Sequence, residues 1–229
     1  LLGAAAIMAA SLSMASAATI SLSLTNEGVV TSAGGDEATL FRADLTSLSL
    51  TQIAAITVTD SNSGLGGSPG LYSGFDLDAL FLDVDGDAST TGDQFAASSF
   101  LFSAGTTRPT TDPLYLPDAQ DPGPTSGAID ANTVDEAQAT LGVIDGIFFD
   151  TGSLTLGDGG ELIAIFAPPV DIGLSLFLFV VELGNSPGEA ISATVEVSDV
   201  VPEVPLPAAG LLFVAGAIGL VRRRKGRAA

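Results

Sequence analysis

Residues 75–102 read FDLDALFLDVDGDASTTGDQFAASSFLF. Two apolar runs, residues 75–84 and 95–102, flank a polar stretch in which Asp83, Asp85, Asp87 and Asp93 gather around Gly86 and Gly92. Continuous apolar runs of this length, bounded by turn residues, read as central strands covered on both faces. Residues 161–167 (ELIAIFA) and 172–183 (IGLSLFLFVVEL) have the same character. The second of these contains Ser175 and Glu182 and is too short to cross a bilayer, so it too reads as a strand. Around them, residues 19–24 (TISLSL), 45–50 (LTSLSL) and 191–197 (ISATVEV) alternate with period two, the mark of half-buried strands. Glycine- and serine-rich breaks at residues 61–70 and 157–160 separate the runs. The pattern predicts an all-β chain, a single β-sandwich or jelly roll of about eight to ten strands over residues 18–203. Helix signals are scarce: Thr133-x-x-Glu136 is a formal capping box, with room after it for a turn or two.

Composition bounds the chemistry. Of 229 residues 46% are hydrophobic and only 15% charged, so the chain has the material for a core despite a net charge of −20. Cysteine, histidine and tryptophan are absent, which removes thiol nucleophiles, Ser-His triads, histidine-ligated zinc and CxxC redox chemistry. Before Val204 only Arg42 and Arg108 stand against all 27 acidic residues. Such a field repels nucleic acid and anionic lipid and draws cations, so nucleic-acid binding is not expected.

The acidic stretch admits two readings. Asp83, Asp85 and Asp87 match the first three ligand positions of an EF-hand loop, but glycine falls fourth, Gln94 stands twelfth, and strands flank the segment, so it is not an EF-hand. One reading is a hairpin turn at Asp85 and Gly86 with solvated aspartates. The other is a structural calcium site built from Asp83, Asp85, Asp87 and Asp93, which would make the chain a calcium-binding surface module; apart from calcium at this site, no cofactor is expected. Asp76 and Asp78 alternate with Phe75 and Leu77, share one strand face, and are solvated if exposed. A carboxylate-dependent glycoside hydrolase is a further alternative, with Glu161 and Glu182 on neighbouring strands as its pair. With Tyr72 and Tyr115 the only tyrosines and no tryptophan, stacking surface for sugars is thin, and a non-catalytic protein is expected. The proline-rich loop over residues 108–132 reads as a packed insert, tacked down by Tyr115 between Leu114 and Leu116.

The two ends carry an address. Residues 1–17, LLGAAAIMAASLSMASA, form an apolar run of small residues in which Ala15 and Ala17 supply the A-x-A pattern of signal-peptidase cleavage before Ala18. The chain opens on leucine, and a signal peptide lacking its charged first region is expected. Residues 208–221 contain no charged side chain and are followed by Arg222, Arg223, Arg224, Lys225 and Arg227. A helix over these residues would span about 21 Å, short of the roughly 30 Å hydrocarbon core unless flanking residues extend it. The basic cluster holds the C-terminus in the cytoplasm by the positive-inside rule, and the export signal places residues 18–203 outside.

Val204-Pro205-Leu206-Pro207-Ala208, then an apolar span, then the basic cluster, resembles the VPLPA variant of the PEP-CTERM sorting signal on exported proteins of Gram-negative bacteria. The resemblance covers residues 204–229; the strict Pro-Glu-Pro triplet is absent, and Pro202-Glu203 precede the motif. It implies transient insertion in the inner membrane through residues 208–221 and cutting near the motif by an exosortase, a membrane cysteine protease. The outer part would then be periplasmic or extracellular, a cell-surface or matrix protein in an extracellular-polysaccharide context. The expected partners are therefore signal peptidase, exosortase, the inner membrane and extracellular polysaccharide.

Overall fold

The computed structural model describes residues 18–64, 66–90, 92–118, 121–173, 175–184 and 193–202. Ala15, Ala17, the motif from Val204 to Ala208, the span 208–221 and the basic cluster lie outside the described residues, as do residues 191–192. Among the described residues no helix is long and apolar enough to cross a membrane.

The described chain is all-β. One sheet runs, in spatial order, β1 (Thr19–Ser21), β13 (Ala193–Ser198), β4 (Gln52–Asp60), β11 (Glu161–Asp171) and β7 (Ser99–Ser103). The other runs β10 (Leu154–Thr155), β5 (Asp76–Asp83), β12 (Phe177–Leu183), β3 (Glu37–Asp44) and β2 (Thr25–Thr31), with β6 (Gln94–Ala96) also paired to β5. A small ribbon of β8 (Ala128–Asp130) and β9 (Thr133–Val134) stands apart. Every pairing is antiparallel, and the chain crosses between the two main sheets from β3 to β4 to β5 and from β11 to β12 to β13.

Side chains from both sheets meet in one core that includes Phe41, Ile56, Leu80, Leu82, Leu162, Leu178 and Val197. Each large side chain so buried contributes about 1.5–3 kcal/mol. A second apolar layer, with Leu40, Phe81, Phe179, Val181 and Leu183, forms a separate cluster on which Val30 and Ile144 pack. Alternate residues of β5 and β12 thus enter different clusters, so both strands are buried on both faces. That double burial is why 76–83 and 177–183 read as mainly apolar runs, although the strand expected over 172–183 begins only at Phe177.

Four expectations need correction. The run 95–102 is two strands on different sheets: β6 adds to β5, the chain steps across at Ala97 and Ser98, and β7 pairs with β11 at the sheet edge. Residues 161–167 fall in β11, where Leu162, Ala164 and Phe166 are buried but Ile163 and Ile165 are only half-buried, so one face is open. Residues 45–50 form a turn: the Leu48 amide donates to the Leu45 carbonyl at 3.1 Å, while Leu45 and Leu50 are buried where the chain changes sheets. At Thr133 the chain is still strand, and the single turn that follows begins at Asp135, whose Oδ1 accepts from Ala137 N at 3.1 Å. Asp135, not Thr133, supplies the capping oxygen.

Candidate functional site

Asp83 is the last residue of β5 and fully buried. Its partner across the ladder is Gln94, first residue of β6, so residues 84–93 form a closed loop with antiparallel strands at its mouth. A hairpin is present, as predicted, but it closes through ten residues and not through a tight turn at Asp85 and Gly86.

Aspartates at every second position build the loop. Asp83 Oδ1 accepts from Asp85 N at 3.0 Å and Gly86 N at 2.6 Å, Asp85 Oδ1 from Asp87 N at 2.8 Å, and Asp87 Oδ1 from Ser89 N at 3.0 Å and Ser89 Oγ at 2.7 Å. Each carboxylate satisfies backbone ahead of it, the Asx-turn arrangement. Gly86 has φ +76°, and a Cβ there would meet the Phe177 ring at 3.0 Å, so position 86 needs glycine. The Gly86 carbonyl accepts from Arg42 Nη1 at 3.3 Å, and the Arg42 guanidinium lies 5.4 Å from the Phe177 ring centre. The loop is therefore held from behind by β3 and β12.

Asp83, Asp85 and Asp93 each present a carboxylate oxygen, all within 4.8 Å of one another. Asp87, expected as a fourth member, is not in this group; it is exposed, and the Ser89 hydroxyl and amide hold its pKa below the usual carboxylate value. Thr90 takes a place that sequence reading did not assign it. Its Oγ1 lies 3.1 Å from Asp93 Oδ1, 3.4 Å from both oxygens of Asp85 and 3.0 Å from the Asp87 carbonyl, yet a hydroxyl has one proton to donate. Asp83 Oδ2 is buried and has no hydrogen-bond partner among the described residues. Burial pushes the Asp83 carboxyl up, the amides of Gly86 and Asp85 oppose the shift, and the nearby carboxyls of Asp85 and Asp93 add to it. The basic residues of the described chain are committed elsewhere: Arg42 pairs with Glu27 at 3.1 Å and Arg108 with Asp158 at 3.6 Å.

Asp76 and Asp78 are buried, not solvated. The ladder between β5 and β12 slips between Val181 and Glu182, leaving Asp78 opposite no partner, a β-bulge. Asp78 Oδ1 accepts from Gly146 N at 2.8 Å and Asp145 N at 3.2 Å, and burial pushes its pKa up to about 6 against those donors. Asp76 accepts from the Thr155 hydroxyl. Asp60 accepts from the amides of Asn62, Phe75 and Gly159 at 2.7, 3.1 and 2.8 Å. Glu161 lies on β11 and Glu182 on β12, in different sheets; the neighbouring-strand pair expected of a glycosidase is not formed.

Tyr115 does tack the proline-rich loop down. Its ring lies 6.3 Å from Tyr72 and 5.6 Å from Phe149, and Phe149 lies 4.8 Å from Tyr72. Leu114 and Leu116 take no part in a core and are exposed. Next to the acidic loop, Val84, Phe95, Phe166, Pro168 and Val170 line an apolar groove of about 800 Å³. Comparison with protein-family models, curated proteins and solved structures finds no match to this chain.

Proposed function

We propose that this chain is an exported, non-catalytic surface or matrix protein, an acidic β-sandwich of jelly-roll type delivered across the inner membrane of a Gram-negative bacterium. Its tail holds it there until an exosortase cuts near Val204–Ala208. The observation that carries the reading is the three-part tail: Val204-Pro205-Leu206-Pro207-Ala208, an uncharged span over residues 208–221, and Arg222 to Arg227. An apolar segment closing on Ala15 and Ala17 at the other end demands the same orientation.

The geometry supports a scaffold role. Asp60, Asp78, Asp83, Asp112, Asp130 and Asp135 each give a carboxylate oxygen to backbone amides of loops. In a chain without cysteine these charge-assisted bonds fasten connections that secreted domains often fasten with disulfides. Ala18 N lies 3.1 Å from Asp199 Oδ1, so cleavage before Ala18 would set a new ammonium group against that carboxylate and strengthen the β1–β13 edge. Polysaccharide of the cell envelope is the proposed surrounding.

Deleting residues 204–229 tests the sorting half of the proposal. The truncated chain is expected in the soluble exported fraction and the full chain in the membrane fraction of cells without exosortase. Membrane association of the truncated chain would contradict it.

A further inference from the structure

We propose that Asp83, Asp85 and Asp93 form a divalent-cation site of the calcium class, completed by the Thr90 hydroxyl and water. The site stands independently of how the chain is sorted. Three carboxylate oxygens within 4.8 Å of one another are the hard ligands that calcium takes six to eight at a time. An acidic cluster alone would be a solvated surface, but this one contains a fully buried member: Asp83 Oδ1 is engaged by two amides, and Asp83 Oδ2 has no hydrogen-bond partner among the described residues. An orphaned carboxylate oxygen at a buried position is a large desolvation cost, which a bound cation removes. Neither guanidinium of the described chain does so, since both are ion-paired with other carboxylates.

The chemistry of the donors selects among cations. Calcium takes six to eight oxygens at about 2.3–2.6 Å in a flexible geometry, whereas magnesium demands near-octahedral order at about 2.0–2.1 Å and gives up its own waters reluctantly. Zinc prefers histidine nitrogen and cysteine sulfur, and the chain has neither residue. Oxygen atoms no farther apart than 4.8 Å can be bridged by two calcium–oxygen bonds of about 2.4 Å. The backing of Gly86 by Arg42 and Phe177 fixes Asp85 near the end of β5, so part of the site is set before an ion arrives.

The ion would join the end of β5 to the residue preceding β6. β6 is three residues long and, among the described residues, its ladder partner is β5 alone, so the cation would fasten a strand otherwise held by a short ladder. Phe95 and Ala96 of β6 also line the apolar groove, whose wall the ion would therefore hold in place.

The test is calorimetric titration of the full chain, in detergent and stripped with chelator, with calcium chloride and then magnesium chloride. One saturable calcium per chain is expected, with magnesium at least tenfold weaker. Asp85→Asn and Asp93→Asn should each weaken calcium at least tenfold while keeping the native circular dichroism. Asp87→Asn, exposed and outside the trio, should bind as the unmutated chain does. Partial proteolysis within residues 84–93 should slow when calcium is present. The proposal is overturned by non-saturable uptake, by equal affinity for magnesium, by unchanged binding in Asp85→Asn and Asp93→Asn, or by equal loss in Asp87→Asn.

Discussion

Asp78 shows how one residue joins sequence, fold and pH. It occupies the bulge of β5, fully buried, and its carboxylate holds the Asp145–Gly146 segment against the sheet. Burial, with a smaller contribution from the Asp145 carboxylate, lifts its pKa to about 6 from an ordinary 3.8. The folded state therefore keeps the proton over a range where the unfolded chain has lost it. Stability linked to this group is present in full below about pH 4, falls as pH rises toward about 6, and is flat above. A shift of about two units corresponds to about 3 kcal/mol. Asp78→Asn keeps an oxygen for the two amides and removes the charge. Denaturant unfolding from pH 4 to pH 7 should show the variant losing less stability than the parent across that interval. Parallel curves for the two proteins would show that Asp78 does not titrate as described. The alternation of Asp76 and Asp78 with apolar neighbours was legible in the sequence, but the bulge was not, because it arises from the slip against β12.

At the scale of elements, legibility follows burial. β5 and β12 read as central strands because two clusters, one on each face, call for apolar residues on both, interrupted by Asp76, Asp78 and Asp83 in β5 and Glu182 in β12. β11 alternates because its second face is open, and residues 45–50 alternate without being a strand because leucines at a crossing are buried as effectively by a turn. The run 95–102 concealed a change of sheet, since Phe95 and Ala96 line the apolar groove from β6 while Phe102 enters the core from β7, and both uses call for apolar residues. These differences have measurable weights. Phe179→Ala, in the outer cluster beside Phe81, should cost about 3–5 kcal/mol in denaturant unfolding. Ile163→Ala, on the half-open face of β11, should cost under about 2 kcal/mol. Equal costs would mean that the second layer is not a packed cluster. In the acidic loop, residue types pointed to Asp83, Asp85 and Asp93, but the turn that takes Asp87 out of the group depends on Ser89, and the place of Thr90 depends on the folded loop.

Over the whole molecule, the sequence separates an acidic β-rich middle from two apolar ends, which the proposal assigns to export and sorting. Two basic residues stand before Val204 and five after it, an asymmetry that suits a domain outside a membrane and a cytoplasmic tail. The all-β architecture was legible from strand periods and turn residues, while the gathering of Tyr72, Tyr115 and Phe149 from distant segments was not. The most direct measurement is the intact mass, with terminal sequencing, of the protein recovered from the envelope and medium of a Gram-negative host that encodes an exosortase. The account requires a mature chain that begins at Ala18 and ends near Val204–Ala208, lacking the basic cluster. A protein that keeps residues 1–17 or the basic cluster and remains in the cytoplasm would contradict it.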